Sequence, residues 1–555
     1  MAFNNDANGN GPIAQIQSTA GSATRWRELS PQYIPSRRRR MLTVVSVLLL
    51  IMLVFAAFRL SVVASGTNDL LQIRIGDQQA ATLDLRQSLP ISPYLLGTNV
   101  FPKEGTLSRD RVYPTGFMPY TSQMISDLND DGVKLLRYPG GDWGEQHTLS
   151  YDQLNDFSKM LIATHSDGIL SAHLSSIVDT NGSAPDTNLA DRANLAGRWV
   201  DYMNNLKSDL RAPGKGHDKD AFHPVKFWTV GNEPDRPDPL THQDYTVAAY
   251  VNAFVAFSEA MHRNDPTIKV FGPELSQFYG VGAGPRDIDG ALWMEKFLEG
   301  VGQVERAKGE ILLDGVSFHR YQFHSAVQVP DPALLLSSTD EWNYLLPPLH
   351  QLIKHDLGRD LPIAITEINT NPSPDSSPSQ GQAALWWADT LGTLMDQQVA
   401  YVAFFSTAGV DRPYPLFTGN GLHETPMERV MELFGHLQHN LVPLASQREP
   451  VSVYATQDDA HQTISLLFVN KAAMPQLAQI NPVTQFATIS PWHNLNVSLA
   501  GNSIVVVILH RGGGSYDYAT SYSYIVPAHD DPTVAPVLYT VCGNKTDALA
   551  NNIPC

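Results

Sequence analysis

The sequence predicts an α/β chain: a (β/α)8 barrel, an antiparallel β-sandwich after it, and an N-terminal transmembrane helix before it. Three observations carry this reading. Eight short apolar runs each end in polar or glycine-containing residues, stretches with helical spacing separate them, and an uncharged 18-residue segment at 41–58 follows four consecutive arginines. At 555 residues the chain exceeds what one core organises, so two or three domains are expected. Hydrophobic residues at 43% against 17% charged allow large cores and exclude a chain disordered throughout.

Residues 1–40 lack a hydrophobic period and read as a disordered cytoplasmic tail. Met41–Phe58 reads as a signal anchor, since roughly 17–25 apolar residues cross a bilayer. Arg37 to Arg40 on its N-terminal side favour keeping that side in the cytoplasm and exporting the rest. Cleavage near Val62 and Ala64, which would secrete the protein, is the alternative. The charge divides at the same place. Seven arginines against Asp6 and Glu28 give residues 1–59 a balance of +5, which leaves −23 of the total −18 for the remainder. That acidic remainder argues against nucleic acid as a partner.

Residues 68–92 contain LLQIRIG and ATLDLRQ, alternating strands expected to join the later sandwich. The barrel is expected over 93–440. Its strand runs are PYLLGTN (93–99), VKLLRYPGG (133–141), GILSAHLS (168–175), VKFWTVGNEP (225–234), IKVFGPEL (268–275), GVSFHRY (315–321), LPIAITEIN (361–369) and YVAFFS (401–406). Eight nearly continuous apolar strands alternating with helices are the pattern of a parallel TIM barrel. A doubly wound open sheet is the alternative, weakened because no Gly-rich phosphate loop follows the first strand. Residues 441–530 alternate in short strands and turn at Ala500–Gly501–Asn502, as a β-sandwich does, and 531–555 read as a tail. Cys542 and Cys555, the two cysteines of the chain, allow at most one disulfide there and no thiolate metal cluster.

Catalytic groups of such barrels sit at the C-terminal ends of the strands. Val-Gly-Asn232-Glu233-Pro ends the fourth strand and Ile-Thr-Glu367-Ile-Asn ends the seventh. Each carboxylate follows an apolar strand that begins to desolvate it; desolvation raises a carboxyl pKa and a positive neighbour lowers it, so one glutamic acid can stay protonated while the other is ionised. A carboxylic acid beside a carboxylate is the equipment for glycoside hydrolysis.

With these motifs the chain resembles the retaining (β/α)8 glycoside hydrolases of clan A: FWTVGNEPD is similar to families 39, 44 and 79, and LRYPGG to family 51. The resemblance implies that Glu233 is the acid/base, that Glu367 is the nucleophile and that Asn232 bonds the sugar 2-hydroxyl. It also implies that Arg137 keeps the nucleophile ionised, that Tyr321 bonds Glu367, and that His319 orients the acid or contacts substrate. No cofactor or metal is implied, and the partners are a carbohydrate and, through the one helix, a membrane. Asp142 and Trp143, on the loop after strand two, offer a polar group and an aromatic face to a sugar, with simple packing as the alternative for Trp143. Glu274, after strand five, is a fallback acid or nucleophile, otherwise structural. The sequence departs from the clan where strand eight ends in Phe404-Phe405-Ser406 instead of a Trp, and where Ile follows Glu367. Two other readings stand beside the enzyme: a carbohydrate-binding or wall-anchoring protein on a barrel without chemistry, and a metal-dependent hydrolase using His319 and His324. DTNGSAPDTN (179–188) lacks the glutamate that completes a calcium loop and reads as an Asx-rich loop.

Overall fold

The computed structural model describes residues 70–109, 116–176, 187–323, 331–371, 378–410, 414–444, 449–482, 495–510, 518–529 and 531–542. The expected tail at 1–40, the anchor at 41–58, His324, Cys555 and most of the Asx-rich loop lie outside them. Among the described residues no helix is long and apolar enough to cross a membrane. The chain from Thr67 onward forms one compact unit.

Its centre is a closed barrel of eight parallel strands in sequence order. They are Gly97–Asn99, Leu135–Tyr138, Asp167–Ala172, Phe227–Val230, Lys269–Leu275, Gly315–Tyr321, Ile363–Asn369 and Tyr401–Phe404. Seven lie within the apolar runs and the third begins one residue ahead of its run, at Asp167; Phe404 pairs with Thr98 to close the ring. Side chains alternate between the two faces of a strand, which sorts them into two cores. Leu136, Leu170, Trp228 and Val270 point outward and pack with the helices. Leu135, Ile169, Phe227 and Phe271 form a separate inner cluster beside Tyr94 and Tyr401. Tyr94 stacks on Tyr401 at 5.3 Å, and Phe227 meets Tyr401 edge-on at 5.0 Å, which plugs the N-terminal end. Two residues further along three of these strands come Arg137, Ser171 and Thr229, and Thr229 donates to Ser171 at 2.9 Å. The interior therefore turns polar only toward the C-terminal ends.

The sandwich has two antiparallel sheets. Leu70–Ile75 sits between Gln78–Asp84 and Gln476–Pro482 in a four-stranded sheet that Leu495–Leu499 completes. The turn at 500–502 then carries the chain into the other sheet, because Ser503–His510 pairs with Thr463–Asn470. Ile73, Leu83, Val453, Phe468, Ile480 and Val507 fill the space between the sheets. The expectation of a tail at 531–555 is corrected at Val537–Cys542, which pairs with Tyr518–Ile525 as an edge strand. Its alternation is weak, with Val537 and Leu538 both exposed, so periodicity did not mark it as a strand.

The outer face of the seven-stranded sheet lies against the helix Gln380–Asp396 that follows barrel strand seven. Tyr454, Leu467, Val506 and Tyr524 belong to the same core as Trp386 and Trp387 of that helix. Asp389 is fully buried at this junction and accepts from Thr339 at 2.6 Å, Tyr454 at 2.7 Å and the Lys471 ammonium at 3.0 Å. Glu449, largely exposed, also reaches Lys471, at 2.5 Å. Removing one partner of a buried pair strands the other charge, at about 3–5 kcal/mol. Asp389→Ala is therefore expected to destabilise the chain by roughly 3 kcal/mol, the low end because Glu449 remains. Urea unfolding measures this, and an unchanged midpoint would refute the junction as a stabilising contact.

Candidate active site

Arg137, one residue before the end of barrel strand two, has no exposed surface. Its Nη1 donates to Asn99 Oδ1 and to Glu367 Oε1, both at 2.8 Å. Its Nη2 donates to Asn232 Oδ1 at 2.7 Å and Glu274 Oε2 at 2.8 Å. Glu274 is also fully buried and accepts from Thr366 at 2.9 Å. Burial works against its charge, but Arg137 and His319, with the Ser317 hydroxyl, together outweigh burial and hold its pKa down at about 2. Glu274 thus partners the arginine deep beneath the cleft, the structural alternative of the sequence reading. Glu367 keeps its second oxygen, Oε2, for the Tyr321 hydroxyl at 2.7 Å.

Glu233 follows Gly231 and Asn232 at the end of strand four with a positive φ of 50°. Such a backbone is uncommon outside glycine and is held here by its neighbours. Its N–H donates to the Glu274 carbonyl at 2.9 Å. His319, on strand six, places Nδ1 3.0 Å from Glu233 Oε1, 3.6 Å from Glu367 Oε2, and Nε2 3.5 Å from Glu274 Oε2. Burial pulls the imidazole pKa down, but Glu367, Glu233 and Glu274 reverse this and push it up to about 10. Arg236 contacts Glu233 Oε2 and lies 3.6 Å from Asp142 Oδ2. Asn232 donates to Asp142 Oδ1 at 3.1 Å, and burial with the nearby Glu233 charge raises the Asp142 pKa to about 6.

These contacts correct one expectation. Desolvation was expected to keep one of the two glutamic acids protonated, yet Glu233 lies well below the usual carboxylate range. Burial raises its pKa, but the bond from His319 and the charge of Arg236 together outweigh that.

Glu233, Asn232, Asp142, Trp143, Tyr321 and Glu367 all line one cleft of about 570 Å³. Arg137 and His319 lie beneath it. Trp143 packs into the main core while reaching the cleft, so it serves both readings given above. Phe405 stands in the lining just past the end of strand eight, 5.8 Å from Phe101 and 6.3 Å from Tyr321 between ring centroids. An aromatic face is thus present although the clan's Trp is not. Asn369 donates to the Phe405 carbonyl at 2.6 Å and ties that loop to strand seven. Sequence reasoning missed Asn99, Arg236, Gln277 and this role of Phe405. Two signals were available: Asn99 ends strand one, and Arg236 carries a charge three residues after Glu233.

Residues 151–323 match the sequence profile of glycoside hydrolase family 44. That span holds Glu233, Arg236, His319 and Tyr321. No curated protein matches the chain. Among solved structures, an α-L-arabinofuranosidase from Thermotoga maritima, in an arabinose complex, is 16% identical with a TM-score of 0.54, covering 76% of this chain and 97% of that one. The family 51 α-L-arabinofuranosidase of Thermotoga petrophila is also 16% identical, with a TM-score of 0.55 over 83% of this chain and 95% of its own. A family 44 xyloglucanase from Paenibacillus polymyxa, solved with xyloglucan, is 13% identical with a TM-score of 0.52, covering 77% and 98%. This chain resembles the clan A glycosidases of families 44 and 51. Profile match and barrel together support a glycosidase of that clan.

In this barrel His319 links protonation to stability. Its folded pKa lies above the ordinary value of 6.5, so its contribution is complete below that pH and is lost as pH rises through about 10. Relative to His319→Gln, the wild-type chain is expected to lose its stability advantage between pH 6.5 and 10. Urea midpoints for both proteins across that range test this, and a constant difference would contradict it.

Proposed function

We propose that the chain is a retaining glycoside hydrolase acting on oligo- or polysaccharides, with Glu367 as nucleophile and Glu233 as acid/base. One observation carries the reading: Glu233, His319 and Glu367 each bring an oxygen or nitrogen to within 4.8 Å of the others, at the ends of strands four, six and seven. Retaining enzymes set their two carboxyl groups about 5–5.5 Å apart, whereas inverting enzymes leave about 6.5–9.5 Å for a water. The close approach of Glu233 to Glu367 favours retention.

In the first step Glu367 forms a bond to the anomeric carbon while the glycosidic C–O bond breaks and Glu233 gives its proton to the departing oxygen. In the second, water attacks the same carbon, Glu233 takes the water's proton, and the ester bond to Glu367 breaks. Arg137 and Tyr321 hold the nucleophile in place, so little reorganisation is needed as its charge is consumed. Phe101, Phe117, Trp143 and Phe405 give the cleft aromatic faces, and Gln146, Ser276 and Gln277 give it neutral polar groups, a lining suited to sugar rings. Arabinofuranosides and xyloglucan head the substrate panel because the similar structures are named as arabinofuranosidases and a xyloglucanase. The apolar segment at 41–58 supports an anchor that leaves the catalytic part outside the cell.

Glu367→Gln is expected to lose at least a thousandfold in kcat, and azide or formate is expected to restore turnover to Glu367→Gly. Rates on aryl glycosides and polysaccharides measure both, and wild-type rates in the two variants would refute the assignment. Chelator treatment separates this reading from metal-dependent hydrolysis, since a two-glutamate reaction proceeds unchanged. Exposure of whole cells to protease tests the location: an external catalytic part is degraded, a cytoplasmic one is spared.

A further inference from the structure

Glu233 presents both carboxylate oxygens to cationic groups. His319 Nδ1 takes Oε1 from the buried side, and Arg236 Nη1 takes Oε2 from the cleft side. An acid must carry its proton on an oxygen that can reach the glycosidic oxygen. Oε2 is the oxygen on the open side, and the guanidinium occupies it.

We infer that Arg236 is a gate on Glu233: it clasps the carboxylate in the free enzyme and moves onto Asp142 when a leaving-group sugar enters the cleft. The inference rests on the assignment of Glu233 as acid/base.

Three features support the movement. The Arg236 side chain is 55% exposed, and its ion-pair partners among the described residues are Glu233 and Asp142. Its backbone is fixed, because Arg236 N–H donates to the Glu233 carbonyl at 3.0 Å, so only the side chain needs to swing. Its destination stands ready, since Asp142 Oδ2 is 3.6 Å from Nη1 while Asn232 anchors Oδ1. Arg236 lines the cleft beside Glu233, so a sugar leaving through Oε2 must displace it.

The groups facing Glu233 come from several elements. Arg236 and Asp235 share its loop, Asp142 comes from the loop after strand two, His319 from strand six and Glu367 from strand seven. Glu274, on strand five, reaches it through the backbone and His319. With Arg236 on Asp142, His319 is the one cation left against the carboxyl among the described residues. The remaining balance, burial and Glu367 against His319, favours proton uptake more than the closed arrangement does.

The test is the pH dependence of kcat/KM on a glycoside with an unactivated leaving group, since kcat/KM reports the free enzyme and kcat the complex. Removing Arg236 raises the pKa of Glu233 in the free enzyme, and protonated Glu233 is the active form. In Arg236→Ala and Arg236→Gln the alkaline limb of kcat/KM is therefore expected to move up by about 1–3 pH units. The alkaline limb of kcat stays in place, because the complex is already open. Asp142→Asn, which removes the destination, is expected to move the kcat limb down. An even loss at all pH values, with both limbs fixed in the two Arg236 variants, would overturn the gate. Glu233→Ala runs in the same panel. If it retains wild-type rates on unactivated substrates, the acid/base assignment itself fails. If it is slow there and rescued by azide on activated ones while the Arg236 limbs stay fixed, only the gate fails.

Discussion

The guanidinium of Arg137 touches no solvent, and it is bound by side chains from four other strands of the barrel: Asn99, Asn232, Glu274 and Glu367. Burying an unpaired charge is costly enough that the group would not remain there without such partners. The dependence runs both ways. Glu274 is as deeply buried as the arginine, and without that cation its carboxylate would keep Thr366 and the more distant His319 against the cost of burial. Through these contacts one side chain sets the relative heights of strands one, two, four, five and seven where the cleft opens. The positions of both strand-end glutamates follow from it.

The barrel interior explains why the charges gather at one end. Tyr94, Phe227, Phe271 and Tyr401 close the N-terminal end with ring contacts at 5.0–5.7 Å. These rings fill the lowest inner layer, with Asp167 meeting the Tyr94 hydroxyl at its rim, and the inward polar positions Arg137, Ser171 and Thr229 come one strand repeat higher. The sandwich supports this scaffold from the far side. Its seven-stranded sheet packs on the helix that follows strand seven, the strand that carries Glu367. The nucleophile candidate is therefore braced by Arg137 and Tyr321 within the barrel, and its strand leads into the helix pinned by Asp389 and Lys471.

Where an apolar strand ran directly into a chemical group, the sequence was legible. Asn232-Glu233, Glu367, Arg137 and His319-Arg-Tyr321 were all marked by the strand before them, and the cleft brings them together or sets them beneath its floor. Their electrostatic state was not legible. The ionisation of Glu233 depends on His319, 86 residues away in sequence, and on the orientation of Arg236. Desolvation alone, which a strand end does announce, gives the wrong sign. The aromatic lining was hidden for a different reason, because Phe405 takes its place through the bond from Asn369 to its carbonyl. The edge strand Val537–Cys542 was hidden by exposure: an edge with apolar residues on both faces lacks the alternation by which strands are recognised.

Arg137 divides its two Nη groups between Glu274 and Glu367 instead of gripping Glu367 with both. A full fork would hold both oxygens of the nucleophile in charge-assisted bonds, and attack would have to break one of them. Glu274 prevents that by taking a place on Nη2. Glu367 Oε1 keeps the charged bond that positions it, while Oε2 is held by the neutral Tyr321 hydroxyl, with His319 Nδ1 farther off at 3.6 Å. A neutral donor is surrendered more cheaply than a guanidinium. In the proposed reaction Oε2 is therefore the oxygen freed for attack, while the fully buried Glu274 holds Nη2 and does not line the cleft.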